Sequence, residues 1–190
     1  MNNLRANIKK PAVKFFVFVI LLDLVLLLMK AMDYYVEFLV GIGFGFLYPV
    51  LLTLVSFFLV ANTLKIQPYV VVLISVFGIL FALGIWLAYL VAEFSVDRVE
   101  SPNGEAALMI EHRDVTLGET RHIYHFYRPT ILPGVLKKLT EEPVSFYIHY
   151  HLTGGDPDAL KALGVDQAQW FEDRVIFYSE RGEIEVDLKR

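Results

Sequence analysis

The sequence predicts a membrane α plus β protein: three transmembrane helices followed by a small antiparallel β-meander domain with one or two short helices. Three observations predict it. Up to about Phe94 the 190-residue chain is almost wholly apolar, and from Ser95 onward charge recurs every few residues. The first half holds three apolar runs of membrane length. The second half alternates apolar and polar residues with the period of a half-buried strand. The expected domains are a three-helix transmembrane domain over residues 1–94 and a β-rich domain over 95–190.

A bilayer core roughly 30 Å thick needs about 20 apolar residues in a helix. The runs at about Ala12–Met32, Tyr35–Val60 and Tyr69–Ala92 meet that length. Arg5, Lys9, Lys10 and Lys14 precede the first run, but no small-x-small cleavage site follows at "LLMKAMDYY", so the run reads as a retained helix and not a signal peptide. Tyr34, Tyr35, Tyr48, Tyr69 and Tyr89 fall near the ends, where interfacial aromatics sit.

The Lys/Arg bias sets the expected orientation. The N-terminal segment has four bases and no acid, and the second loop has only Lys65. The first loop sets Lys30 against Asp33 and Glu37, and the stretch after the third run sets Arg98 against Glu93, Asp97 and Glu100. This predicts a multi-pass cell-membrane protein with its N-terminus cytoplasmic and its C-terminal domain outside.

Asp23 is the one carboxylate in the middle of the runs. A charge there costs about 2.5–3.5 kcal/mol on insertion scales, so it is expected to face the bundle with a partner. Ser56, Ser75 or a helix of another membrane protein could supply that partner. No second central ionisable group exists, so Asp23 reads as assembly glue in preference to a transport group. Gly41/Gly45 and Gly78/Ala82 have small-xxx-small spacing and predict a close seam between the second and third helices. Pro49 predicts a kink in the second.

Residues 95–190 carry 17 acids and 11 bases, net −6, against +2 for the first half. An acidic domain argues against nucleic acid and against anionic lipid surfaces as ligands. The chain has no cysteine, so disulfides and thiolate metal sites are excluded, which for an outward-facing domain suits a bacterial protein.

Five strands are predicted in this half. "AALMIEHR" places Leu108 and Ile110 on one face, and "TRHIYHFYR" is aromatic and β-branched. "VSFYIHYHL" sets Val144, Phe146, Ile148, Tyr150 and Leu152 against Ser145, Tyr147, His149 and His151. "DRVIFYS" and "EIEVDL" form a hairpin across "ERGE", with Ile184, Val186 and Leu188 inward. "PGVLKKLTEE" predicts one or two helical turns. "GGDPDALKALG" predicts a short helix with Asp156 as N-cap, Pro157 at the first helical position and Gly164 at the C-cap.

"SPNGE" has turn chemistry. Ser101–Gly104 with the later Trp170, Asp173 and Val175–Phe177 resembles both one blade of a bacterial β-propeller and the outer domain of small bacterial membrane-anchored proteins of unassigned function. The resemblance covers the second half only and brings no catalytic residue with it.

All five histidines lie between His112 and His151. His149-x-His151 puts two imidazoles on one strand face about 7 Å apart, which offers a metal pair. His122 and His125 fall on opposite faces, and a third ligand is His112 or an acid such as Glu111. The plainer reading of the same residues is a polar sheet face beside Tyr147. "TGG" lacks the P-loop ending, and no His-Glu-x-x-His, Gly-x-Ser-x-Gly or Gly-x-Gly-x-x-Gly occurs.

The expectation is an integral membrane protein in the lipid bilayer presenting an acidic extracytoplasmic β domain for binding or sensing. No enzyme activity, cofactor or nucleic-acid partner is expected. The alternative is an accessory subunit of a membrane transport complex, with Asp23 contacting a partner helix.

Overall fold

The computed structural model describes residues 2–41, 47–90, 92–104, 106–116, 120–148, 159–179 and 181–189. The chain opens with α1 (Asn2–Ala31), β1 (Tyr34–Val36), α2 (Glu37–Gly41), α3 (Leu47–Leu64) and α4 (Pro68–Leu90). Among the described residues, three stretches of helix are long and apolar enough to cross a membrane: Pro11–Ala31, Leu47–Leu64 and Pro68–Leu87. Only 6%, 17% and 6% of these spans is buried within the protein. Large side chains such as Leu27, Phe77 and Phe81 are mostly exposed. A helix apolar on every face is of the kind found inside a large core or in lipid.

Within the second apolar run, expected from about Tyr35, Tyr34–Val36 is a strand, Glu37–Gly41 is helix and Leu47–Leu64 is helix. Two compact units result: Met1–Met32 with Phe44–Leu90, and Asp33–Gly43 with Val91–Arg190. The link between the first two long helices therefore belongs to the sheet unit.

The sheet unit continues with β2 (Ala92–Glu100), β3 (Ala107–Thr116), β4 (Thr120–Pro129), β5 (Val135–Lys138), β6 (Val144–Ile148), α5 (Ala159–Leu163), β7 (Gln169–Trp170), β8 (Arg174–Ser179) and β9 (Gly182–Asp187). All pairings are antiparallel. One sheet runs β1-β5-β4-β3-β2; the long central β4 also takes β6 on its Thr120–Tyr124 half. The other sheet is β7-β8-β9.

The five expected strands are present as β3, β4, β6, β8 and β9, but a simple meander does not describe their order. Both β5 and β6 return to β4, and β1 arrives from far upstream. The expected helix in "PGVLKKLTEE" is instead β5. Leu and Lys favour helix locally, but the Gly134 turn (φ 75) and pairing on both edges override that preference. The "ALKAL" helix forms as α5, and Gly164 follows it in the left-handed conformation. Asp156 and Pro157 lie outside the described residues.

Strand alternation builds the core. Leu108, Ile110, Tyr124 and Phe126 from one face of the larger sheet meet Val175, Phe177, Val186 and Leu188 of the smaller one. Phe126 stacks on Phe177 with centroids 5.5 Å apart. The opposite face, Met109 and Tyr127 with Leu136, packs against Tyr35 and Val40 of the inter-helix segment. Ser101 closes the β2–β3 turn: its carbonyl accepts from Gly104 N at 2.9 Å, and its hydroxyl accepts from Ala106 N at 2.9 Å. The SPNG turn thus lies in the larger sheet, while Trp170 and Val175–Phe177 lie in the smaller one.

Candidate functional site

The core face of the β3–β4 hairpin changes character towards its turn. On β3, Leu108 and Ile110 are followed on the same face by His112 and Asp114, since side chains two apart share a face. On β4, Phe126 and Tyr124 lead back to His122. The register sets Asp114 directly opposite His122, and His112 opposite Tyr124. Directly opposed Cβ atoms stand about 5 Å apart, so these side chains must meet.

Three ligand atoms converge. Asp114 Oδ1 lies 2.7 Å from His112 Nε2 and 2.6 Å from His122 Nδ1. The two nitrogens are 3.0 Å apart. Side-chain exposure is 4%, 9% and 0% for His112, Asp114 and His122, so bulk water does not screen the group. The rings are held by aromatic neighbours: Tyr124 lies 4.8 Å from His112, and Phe146 lies 6.0 Å from His122, centroid to centroid. Tyr124 donates its hydroxyl to the Ala159 carbonyl at 2.9 Å, which fixes its ring against the pair.

Asp114 Oδ1 can accept from both ring nitrogens when each carries its hydrogen. Each ring nitrogen carries either a hydrogen or a lone pair, never both. At most two of the three edges can therefore be hydrogen bonds in any one protonation state. The group can hold a shared proton, or present three lone pairs to a cation.

The other face of the hairpin carries a second buried polar set, which is fully engaged. Glu111 Oε1 accepts from Arg113 Nε at 2.7 Å and from its second guanidinium nitrogen at 2.5 Å, and Oε2 accepts from the Tyr127 hydroxyl at 2.6 Å. Burial, then the Glu111 charge, push the Tyr127 phenol far above its usual range. Tyr35 packs edge-on to Tyr127 at 5.4 Å and is raised as well, by burial and then by Asp33 and Glu111. Glu111 thus lies on the face opposite His112 and His122 and is engaged by Arg113 and Tyr127.

His125 lies on this second face, opposite Glu111 in register. Its Nδ1 has no hydrogen-bond partner among the described residues. Burial holds its pKa below 6.5; Glu111 opposes that shift, and Lys138 and Arg113 add to it. The folded domain therefore binds fewer protons here than the unfolded chain does in the window below pH 6.5. Its contribution to stability is intact above that value and falls as the pH drops towards the folded pKa. His125→Gln is expected to flatten the decline of Tm between about pH 7 and 5. An unchanged slope would assign the acid sensitivity to other groups.

His149 and His151, the metal pair expected from sequence, lie outside the described residues. Asp23 accepts a hydrogen bond from Thr53, not from Ser56 or Ser75, whose hydroxyls donate to the Thr53 and Val71 carbonyls of their own helices. Gly78 lies hard against Leu54 of α3: a Cβ there would fall 2.4 Å from Leu54 Cδ2. Ala82 follows one turn later on α4. Gly41 ends α2, outside the long helices, and Gly45 is outside the described residues. The close approach therefore comes from Gly78 and a leucine.

The chain matches no known family model, no curated protein and no solved structure.

Proposed function

We propose that the chain is a multi-pass protein of a bacterial cytoplasmic membrane that presents its acidic sheet domain outside, for binding or sensing, with His112, Asp114 and His122 as the binding centre. The observation that carries this reading is the centre itself. Two imidazoles and a carboxylate converge inside the domain with their ligand atoms 2.6–3.0 Å apart, and natural cores bury such groups only with a compensating interaction.

The β1–β5 pairing supports the orientation. Strand β1 precedes α3 and β5 follows α4, so both ends of the α3–α4 pair must lie on one side of a bilayer. Only α1 then separates the basic N-terminus from the sheet domain, and the Lys/Arg bias puts that terminus in the cytoplasm. The alternative, an accessory transport subunit with Asp23 at a partner helix, has less support, because Thr53 of the same chain already engages Asp23.

The absence of native cysteine makes a sidedness test direct. Glu172→Cys, in the exposed link before β8, is expected to react with a membrane-impermeant maleimide in intact cells. Gln67→Cys, between α3 and α4, is expected to react only after permeabilisation. The reverse pattern, or labelling of both in intact cells, would refute the proposed orientation.

A further inference from the structure

We propose that His112, Asp114 and His122 bind one zinc-class divalent cation, His112 through Nε2, His122 through Nδ1 and Asp114 through one carboxylate oxygen. The proposal rests on the binding reading above and names its ligand. Four features point the same way.

The donor set is two imidazoles and a carboxylate with no thiolate, a combination that suits zinc and its first-row neighbours and not calcium or magnesium, which prefer oxygen alone. The geometry is close to what an ion requires. Donors about 2.0–2.1 Å from a tetrahedral ion stand roughly 3.3 Å apart. The three atoms here are separated by 2.6, 2.7 and 3.0 Å. They need to spread by about 0.3–0.7 Å to reach that separation, which side-chain rotations provide.

A cation can also take a lone pair from all three atoms at once. The surroundings, finally, are preorganised. His112 and Asp114 are fixed two residues apart on β3, His122 is fixed across the register on β4, and Tyr124 and Phe146 flank the rings. Three protein ligands leave a further coordination position. Tyr124 does not fill it, because its hydroxyl is committed to the Ala159 carbonyl.

The test uses the full-length chain, purified in detergent without a polyhistidine tag and stripped with a chelator. Zinc is titrated and bound metal is counted by elemental analysis, with cobalt(II) as the absorbing substitute and Tm as a second readout. One equivalent of zinc, a visible cobalt spectrum of a nitrogen–oxygen site and a rise in Tm are expected. His112→Gln and His122→Gln are each expected to weaken zinc binding at least about 100-fold, since even groups one step removed from a metal commonly cost 10–100-fold. His149→Ala/His151→Ala is expected to keep the equivalent.

Wild-type protein that takes up no zinc or cobalt overturns the proposal, whatever the variants do. So does zinc that survives in a folded His122→Gln protein and is lost with His149 and His151. Sidedness is read separately by maleimide labelling, so a domain found in the cytoplasm would end the orientation reading without touching the metal result.

Discussion

Gly164→Ala is expected to destabilise the sheet domain by roughly 3–5 kcal/mol, as overpacking and left-handed strain combine. Gly164 joins α5 to the short 3-10 turn at Val165–Gln167 with φ 82 and ψ 32, a conformation that costs an L-residue with a side chain. A Cβ there would also fall 2.1 Å from the Tyr178 carbonyl oxygen and 2.6 Å from its carbon. Those are backbone atoms of β8, the middle strand of the smaller sheet, so relief requires moving the strand that carries Val175 and Phe177 into the core. For a domain of this size the loss corresponds to a fall in Tm of more than about 10 °C. Gly104→Ala is the control: it too has positive φ, but nothing lies within 4 Å of its added Cβ. A similar fall in both variants would mean that backbone strain, and not the contact with β8, sets the cost.

Glu111→Leu is expected to cost about 2–3 kcal/mol, because it strips a buried hydrogen-bonding set of its acceptor. Tyr127, 4% exposed, would keep a hydroxyl with nothing to donate to, while Arg113, about one-third exposed, can turn to water. Adding Tyr127→Phe removes the stranded donor, and the pair of changes is expected to be less damaging than the two taken separately by about 1 kcal/mol or more. Urea or thermal unfolding of the four proteins reads this coupling. Strict additivity would show that the hydroxyl and carboxylate act independently despite their 2.6 Å contact.

Much of the fold is legible from residue patterns. The three apolar runs are long enough to be read by length alone, and the alternation in β9 turns Val186 and Leu188 inward and Glu183, Glu185 and Asp187 outward, as expected. The elements that escape are those decided by partners distant in sequence. "YYV" at Tyr34–Val36 is indistinguishable from the apolar residues after it until β5 is available to pair with it. "VLKK" looks helical until its two edges are filled.

The site escapes for a related reason. Histidines spaced two apart on one strand draw notice, but a rise of roughly 3.3 Å per residue keeps such a pair about 7 Å apart. Atoms within 3 Å of one another came instead from across a hairpin. "HRDVTLGETRH" contained the clue: counting outward equally from Gly118 sets Asp114 against His122, the register observed. Asp114 is inconspicuous in the sequence because a lone acid beside a turn is ordinary until its opposite residue is known.

The pairing of Tyr34–Val36 with Val135–Lys138 also imposes a timetable on biosynthesis. Strand β1 is made about 100 residues before β5, so at roughly 5–20 residues per second it waits some 5–20 s for its partner. During that wait Tyr35 and Val40 have no Leu136, Met109 or Tyr127 to cover them. A ribosome that stalls after α4 leaves a chain whose three long helices are complete and whose first strand is still an open edge, the state in which such edges recruit the wrong partner. For the same reason, expression of residues 95–190 alone yields a sheet that lacks an edge strand and has one apolar face uncovered. A soluble version of the domain has to carry residues 33–41 as well.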